Sequence, residues 1–192
     1  MVNLTRIYTR TGDDGMTRLV DNQSVSKSHP RLDAYGSVDE ANSALALAQS
    51  TPNLPAEFTP VLQAISNDLF DVGADIATPM ADPPSANDLR ITQELIDRLE
   101  GWCDQFASGL PSARSFILPA GTAGASALQF ARAVVRRAER DGWRAAEHIA
   151  VNPLALRYLN RLSDLLFILA RRANQLADMP ESLWAPAGHP AA

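Results

Sequence analysis

The chain has a single cysteine, Cys103, in 192 residues. A lone thiol excludes an internal disulfide and a cysteine-rich zinc site. Histidine is almost as scarce: His29, His148 and His189 are scattered, with no metal-ligand spacing. There is no excess of basic residues. Seventeen Lys and Arg against 22 Asp and Glu leave a net charge of −5, which disfavours a nucleic-acid partner and requires any anion site to be local. No apolar run of about 18 residues occurs, so no membrane span is expected. No leader-like apolar segment follows Met1, and a cytoplasmic protein is the expectation. Internal repeats are also absent. What remains is an ordinary composition, 46% hydrophobic and 20% charged, sufficient for one domain with a real core.

The densest chemistry lies in Ala131-Arg-Ala-Val-Val-Arg-Arg-Ala-Glu-Arg140, inside a run from Thr122 to Val151 that reads as one long helix. Arg132, Arg136 and Arg140 are four apart, so they stand nearly in line, drifting about 40° per step. Aligned guanidinium forks suit a polyanion. The same row also fits a solvated helix face laced by ion pairs.

Other segments frame that helix. Residues 1–27 have no helical pattern, and Ile7–Arg10 reads as a short extended piece. Thr9-Arg-Thr-Gly-Asp-Asp-Gly-Met-Thr17 is a turn-rich loop whose glycines let successive N–H groups converge on an anion. Asp13 and Asp14 there suit a Mg²⁺ carried by a nucleotide. Taken alone, the loop fits a plain surface turn equally. A first helix is expected over Pro30–Gln49, capped by Ser28 or His29, with Leu32, Tyr35, Val38, Ala41, Leu45 and Ala48 as its apolar stripe. A second spans Ala56–Ala77, with Val61, Leu62, Ile65, Leu69, Phe70, Val72 and Ile76 inward. A third spans Thr92–Ala107, where Trp102 and Cys103 suit packing better than chemistry. The fifth opens with Asn152 as cap and Pro153 in its first turn. Along it Asn160, Asp164, Phe167 and Arg171 share one face, which suits a lined cleft or an interhelical hydrogen-bond pair. Phe116 fits ordinary core as well as a site. The proline-rich tail, Met179–Ala192, is expected to be irregular and to lie over part of the bundle.

Several motifs then occur in one order: Tyr8-Thr-Arg-Thr-Gly-Asp-Asp-Gly-Met-Thr17, Ala34-Tyr-Gly-Ser-Val-Asp-Glu-Ala-Asn42, Phe116-Ile-Leu-Pro119, Arg132–Arg140 and Tyr158-Leu-Asn-Arg-Leu-Ser-Asp-Leu-Leu-Phe167. The set resembles the PduO-type ATP:cob(I)alamin adenosyltransferases over roughly residues 5 to 175. The resemblance implies an all-α fold: a five-helix bundle with an irregular N-terminal nucleotide-binding segment, assembled as a homotrimer with sites between subunits. It implies one domain over 1–192, with the nucleotide segment at 1–28, the bundle at 29–178 and the tail at 179–192. The implied reaction moves the 5′-deoxyadenosyl group of ATP to cob(I)alamin, through base-off four-coordinate cob(II)alamin. A non-catalytic carrier delivering cofactor to a mutase is the alternative.

The resemblance also assigns residues. Thr9, Arg10, Thr11, Gly12, Thr17 and Arg18 match the ATP loop, and Lys27 the phosphate-contacting lysine. Arg136, Arg137, Glu139 and Arg140 match the nucleotide-contacting helix, and Asn160 an ATP-contacting asparagine. Asp39 and Arg132 match an intersubunit salt bridge. Phe116 and Phe167 match apolar residues that displace the lower corrin ligand. Mg²⁺ is expected on the ATP phosphates, with no protein side chains as its ligands; a reductase and an adenosylcobalamin-dependent mutase are the implied partners. The family pattern is broken at Ala41, where leucine is usual, at Ala120, where glycine is usual, and at Asp21-Asn-Gln-Ser24, which lacks the common Gly and Arg.

Overall fold

A computed structural model describes residues 8, 10–81, 88–113 and 115–188. Five helices dominate: α1 Pro30–Gln49, α2 Thr59–Ala77, α3 Gln93–Ala107, α4 Ala123–Ala146 and α5 Pro153–Leu176. They are preceded by two short strands, β1 Met16–Arg18 and β2 Ser24–Ser26, paired antiparallel with Thr17 opposite Val25. One continuous apolar core draws on all five helices. Helix α1 packs against α4 and α2, while α5 lies between α4 and α3. Among the described residues no helix is long and apolar enough to cross a membrane.

The helix starts follow local chemistry. His29 accepts the Arg31 N–H at 3.1 Å, Thr122 accepts the Ala125 N–H and Asn152 the Leu154 N–H, each at 3.0 Å. Thr92 occupies the cap position of α3, but its side chain accepts no backbone N–H there.

Four expectations are corrected. The run expected to be helical from Thr122 to Val151 stops at Ala146. Nothing in Glu147-His-Ile-Ala150 breaks a helix. The stop is tertiary: Ile149 and Val151 turn in against the core, and buried Arg31 donates to the Ala150 carbonyl at 3.2 Å. The second helix begins as a 3-10 turn, Ala56–Phe58, because Pro60 supplies no N–H to the first α-helical turn. Phe70 is not inward but 69% exposed, rotated one position past the stripe. Met16 and Thr17, read as the end of the turn-rich loop, instead begin the β1–β2 hairpin; Leu19 and Val25 are buried, and Asn22 takes a left-handed φ of 65° in the turn. The expected extended piece at Ile7–Arg10 lies mostly outside the described residues.

One polar clamp locks three elements. Asp75 of α2 is 1% exposed and accepts from Arg90 Nη1, from the Ile91 N–H and from Asn152 Nδ2, at 2.7, 2.7 and 2.6 Å. Asn152 Nδ2 also donates to the Ile91 carbonyl at 3.0 Å. A buried carboxylate is tolerable only with such partners. Asn152→Ala removes a helix cap and one Asp75 donor together. It should lower stability by about 2–4 kcal/mol, read as a fall in the urea midpoint at unchanged m-value; an unchanged midpoint would contradict the clamp.

Candidate functional site

The N-terminal loop is shaped around Lys27. Gly15 takes a left-handed φ of 78°, and its N–H donates to the Gly12 carbonyl at 3.3 Å. The Lys27 N–H donates to the Gly15 carbonyl at 2.8 Å, drawing the end of the hairpin back onto the loop. The lysine side chain then crosses Gly12 so closely that a Cβ there would lie 3.2 Å from Nζ. Thr11, Gly12, Thr17 and Arg18 line a cavity of about 620 Å³ beside it, together with Met16 and Ser24. Asp13 and Asp14 are exposed on the same loop. Among the described residues Lys27 makes no ion pair, so its charge is available to an anion. Arg10 is exposed, its guanidinium 5.7 Å from the Tyr8 ring centre. Thr9 lies outside the described residues.

A second cavity, of about 680 Å³, opens between α4, α5 and the segment before α4. Its cationic edge is Arg132 and Arg136; its aromatic walls are Phe116, Phe167 and Trp184; Ser163 and Asp164 add polar groups from α5. Arg132 lies over Phe167 at 5.5 Å, and Arg171 lies 5.9 Å from the same ring. Burial holds the Arg132 guanidinium below its ordinary pKa, and the neighbouring Arg136 charge adds to the effect; Asp164 opposes both. Phe116 is 77% exposed and meets Trp184 edge to face at 5.9 Å.

The remaining expected residues divide. Asn160 donates to Glu139 at 3.1 Å, so these two are brought together across α4 and α5. Arg140 turns back to the Arg136 carbonyl at 3.0 Å, and Arg137 pairs with Glu40 of α1. Asp39 stands elsewhere: it is exposed and lines a third groove, of about 410 Å³, between α1 and α2 beside Phe70. Within one chain it forms no ion pair with Arg132, and among the described residues it has no other ion-pair partner. The hairpin loop and the arginine row line different cavities among the described residues, Thr11, Gly12, Thr17 and Arg18 one and Arg132 and Arg136 another. Sequence reasoning missed Trp184 and Gln129 as lining residues. An aromatic inside a proline-rich tail was the only signal for the former, and nothing marked the latter.

A five-helix bundle with a glycine–threonine cavity at its amino end and an arginine-edged aromatic cavity beside α4 defines a class: a helical bundle with one cavity suited to an anion and another that sets cations against an apolar wall. Comparison with known proteins narrows the class. Residues 7–173 match the family model described as Cobalamin adenosyltransferase. The corrinoid adenosyltransferase of Mycobacterium tuberculosis is 52% identical over 189 residues, 97% of this chain and 96% of that one. The corrinoid adenosyltransferase PduO of Salmonella typhimurium is 43% identical over 165 residues, covering 86% of this chain and 48% of that one. A variant PduO-type ATP:corrinoid adenosyltransferase from Lactobacillus reuteri, solved with cobalamin and ATP, superposes with a TM-score of 0.86 at 37% identity, covering 93% of this chain and 99% of that one. The chain therefore belongs to the cobalamin adenosyltransferase family of enzymes.

Lys27 is exposed, so Lys27→Ala should leave thermal unfolding unchanged. Loss of one charge-assisted contact to phosphate should raise the KM for ATP by roughly tenfold. Steady-state kinetics at saturating corrinoid check this; an unchanged KM would remove Lys27 from the site.

Proposed function

We propose that the protein transfers the 5′-deoxyadenosyl group of ATP to cob(I)alamin, giving adenosylcobalamin and triphosphate. The observation that carries this reading is the cavity in which Arg132 and Arg136 stand beside Phe116 and Phe167: an anion grip against an apolar wall. The chemistry needs both. Cob(I)alamin is itself the nucleophile, so the protein need not supply one. As the cobalt–C5′ bond forms, the C5′–O5′ bond breaks and its electron pair leaves with triphosphate. No proton need be removed, and Glu139, bonded to Asn160, orients groups instead of acting as a base. Holding C5′ in line with cobalt contributes up to about 7–11 kcal/mol. Cations at the triphosphate stabilise the charge that gathers there. Among the described residues no three His, Cys, Asp or Glu side chains form a metal-binding group. Mg²⁺ carried on the triphosphate oxygens would suit this chemistry, and Asp13 and Asp14, exposed in the loop, are of the residue type that would hold it through water. When bound it would supply charge neutralisation at the leaving group.

The loop and the arginine row meet, in this reading, across the contacts of a homotrimer. Two features support it. Each chain holds the two halves in separate cavities, and each chain leaves the Asp39 carboxylate exposed while Arg132 is pushed down by burial and by Arg136. A neighbour's carboxylate beside Arg132 would relieve both. Reduction precedes transfer. Phe116 and Phe167 exclude water and the lower nitrogen ligand from the cobalt, leaving base-off four-coordinate cob(II)alamin, which accepts an electron more readily. The electron comes from a separate reductase, and the product serves an adenosylcobalamin-dependent mutase.

Phe116 projects from the fold, so its removal should not unfold the protein. Phe116→Ala should keep the KM for ATP and the rate with pre-reduced cob(I)alamin. It should lose roughly tenfold or more in turnover, about 1.4 kcal/mol, when cob(II)alamin is reduced on the enzyme. Equal losses in both assays would refute the ligand-displacing role.

A further inference from the structure

After α5 the chain doubles back along residues 115–118. The Trp184 N–H donates to the Phe116 carbonyl at 2.8 Å and the Leu118 N–H to the Ser182 carbonyl at 2.7 Å, with Ile117 and Leu183 paired between them. So short a pairing is marginal in water by itself. What secures it is Arg171. This side chain is 10% exposed; its Nε donates to Glu181 Oε1 at 2.6 Å and its Nη2 to the Pro111 carbonyl at 2.6 Å. One cation thereby ties α5, the 110–118 segment and the tail, and its other face lies against Phe167. A planar fork is suited to satisfying such divergent acceptors at fixed geometry.

The consequence falls on the aromatic wall. Phe116 and Trp184 are 77% and 45% exposed, so neither is locked by the core. They are held by each other and by the strap that carries Trp184. A ring that must take the place of a metal ligand has to be held there, since ordering it on binding subtracts from the effect. We propose that Arg171 and Glu181 form a latch that positions the Phe116–Trp184 pair as one wall of the corrin cavity, with Glu181 a positioning residue that does not touch the substrate. The inference rests on the adenosyl-transfer reading for the identity of the occupant.

The test compares the wild-type protein with Glu181→Ala, Trp184→Ala and the double variant. Electron paramagnetic resonance at saturating ATP measures the fraction of cob(II)alamin bound without its lower ligand. Glu181→Ala should reduce that ratio roughly fivefold, the effect of breaking one well-formed pair. The double variant should be no worse than Trp184→Ala, because Glu181 acts through Trp184. The KM for ATP should not move, and every variant is compared well below its own thermal midpoint. An unchanged ratio in Glu181→Ala, or a loss that adds to that of Trp184→Ala, would overturn the latch. If the wild-type protein itself gave no base-off signal, the base-off reading would fall. The latch would then be decided by amide hydrogen exchange at Leu118 and Trp184 in the ligand-free protein: faster exchange in Glu181→Ala supports it, and unchanged exchange refutes it.

Discussion

Between its neighbours the backbone of α4 lies so close to α5 that Gly142 has no room for a side chain; a Cβ there would sit 2.4 Å from Leu156 Cδ2. Among larger side chains such as Leu128, Val134 and Val135, much of the inward surface of α4 consists of small residues. Ala125, Ala131, Ala138 and Ala145 are buried, and α1 likewise offers Ala34, Ala41, Ala44 and Ala48 to the core. Small residues let helix axes approach and leave few alternative packings. A helix held so closely is fixed in rotation, and that fixes the directions in which its long polar side chains leave it. That is why Arg132 and Arg136 arrive at the same cavity as Phe116 and Phe167. Ala41, where the family pattern has leucine, is fully buried and belongs to this economy of volume.

The same rigidity explains how a chain of net charge −5 presents local cations. Several arginines are occupied structurally. Arg31 is buried and donates to the Ile76 and Ala150 carbonyls, while Arg90 pairs with Asp75, Arg98 with Asp68 and Arg137 with Glu40. Those that remain at the cavity edge, with Lys27 across its own loop, are the ones with charge to spare. The proposed triphosphate grip depends on this separation between structural and available cations, and so does the proposed trimer, since one chain keeps the two groups of cations in different cavities.

Most of the fold was legible because it is written in local signals. The Pro30, Asn152 and Pro153 starts and the three-and-four spacing of α1 and α5 depend on neighbours in sequence, and they came out as read. Two of the errors arose where distant residues decide. The end of α4 is set by Arg31, more than a hundred positions away, and not by any residue of its own. Phe70 looked inward because it adjoins a strong stripe, whereas the groove it lines is shared with Asp39 of another helix. The hairpin at 16–26 is too short to show alternation. For the candidate site, the residue types and their spacing were visible, but their grouping was not. Spacing along one helix says nothing of which partner faces it, and the strap that brings Trp184 to Phe116 is held by backbone bonds that leave no mark on composition.

The most direct test of the central claim, that loop and arginine row complete one site only across a subunit contact, is complementation between two defective proteins. Lys27→Ala and Arg136→Ala chains are denatured together in equal amounts, refolded, and assayed for adenosyl transfer to pre-reduced cob(I)alamin at ATP well below the wild-type KM, where Lys27→Ala alone should retain only about a tenth of the activity. The account predicts that the mixture recovers about a quarter of wild-type activity, because random assembly of a cyclic oligomer joins one intact half to the other at that frequency. A mixture no more active than either parent would contradict it.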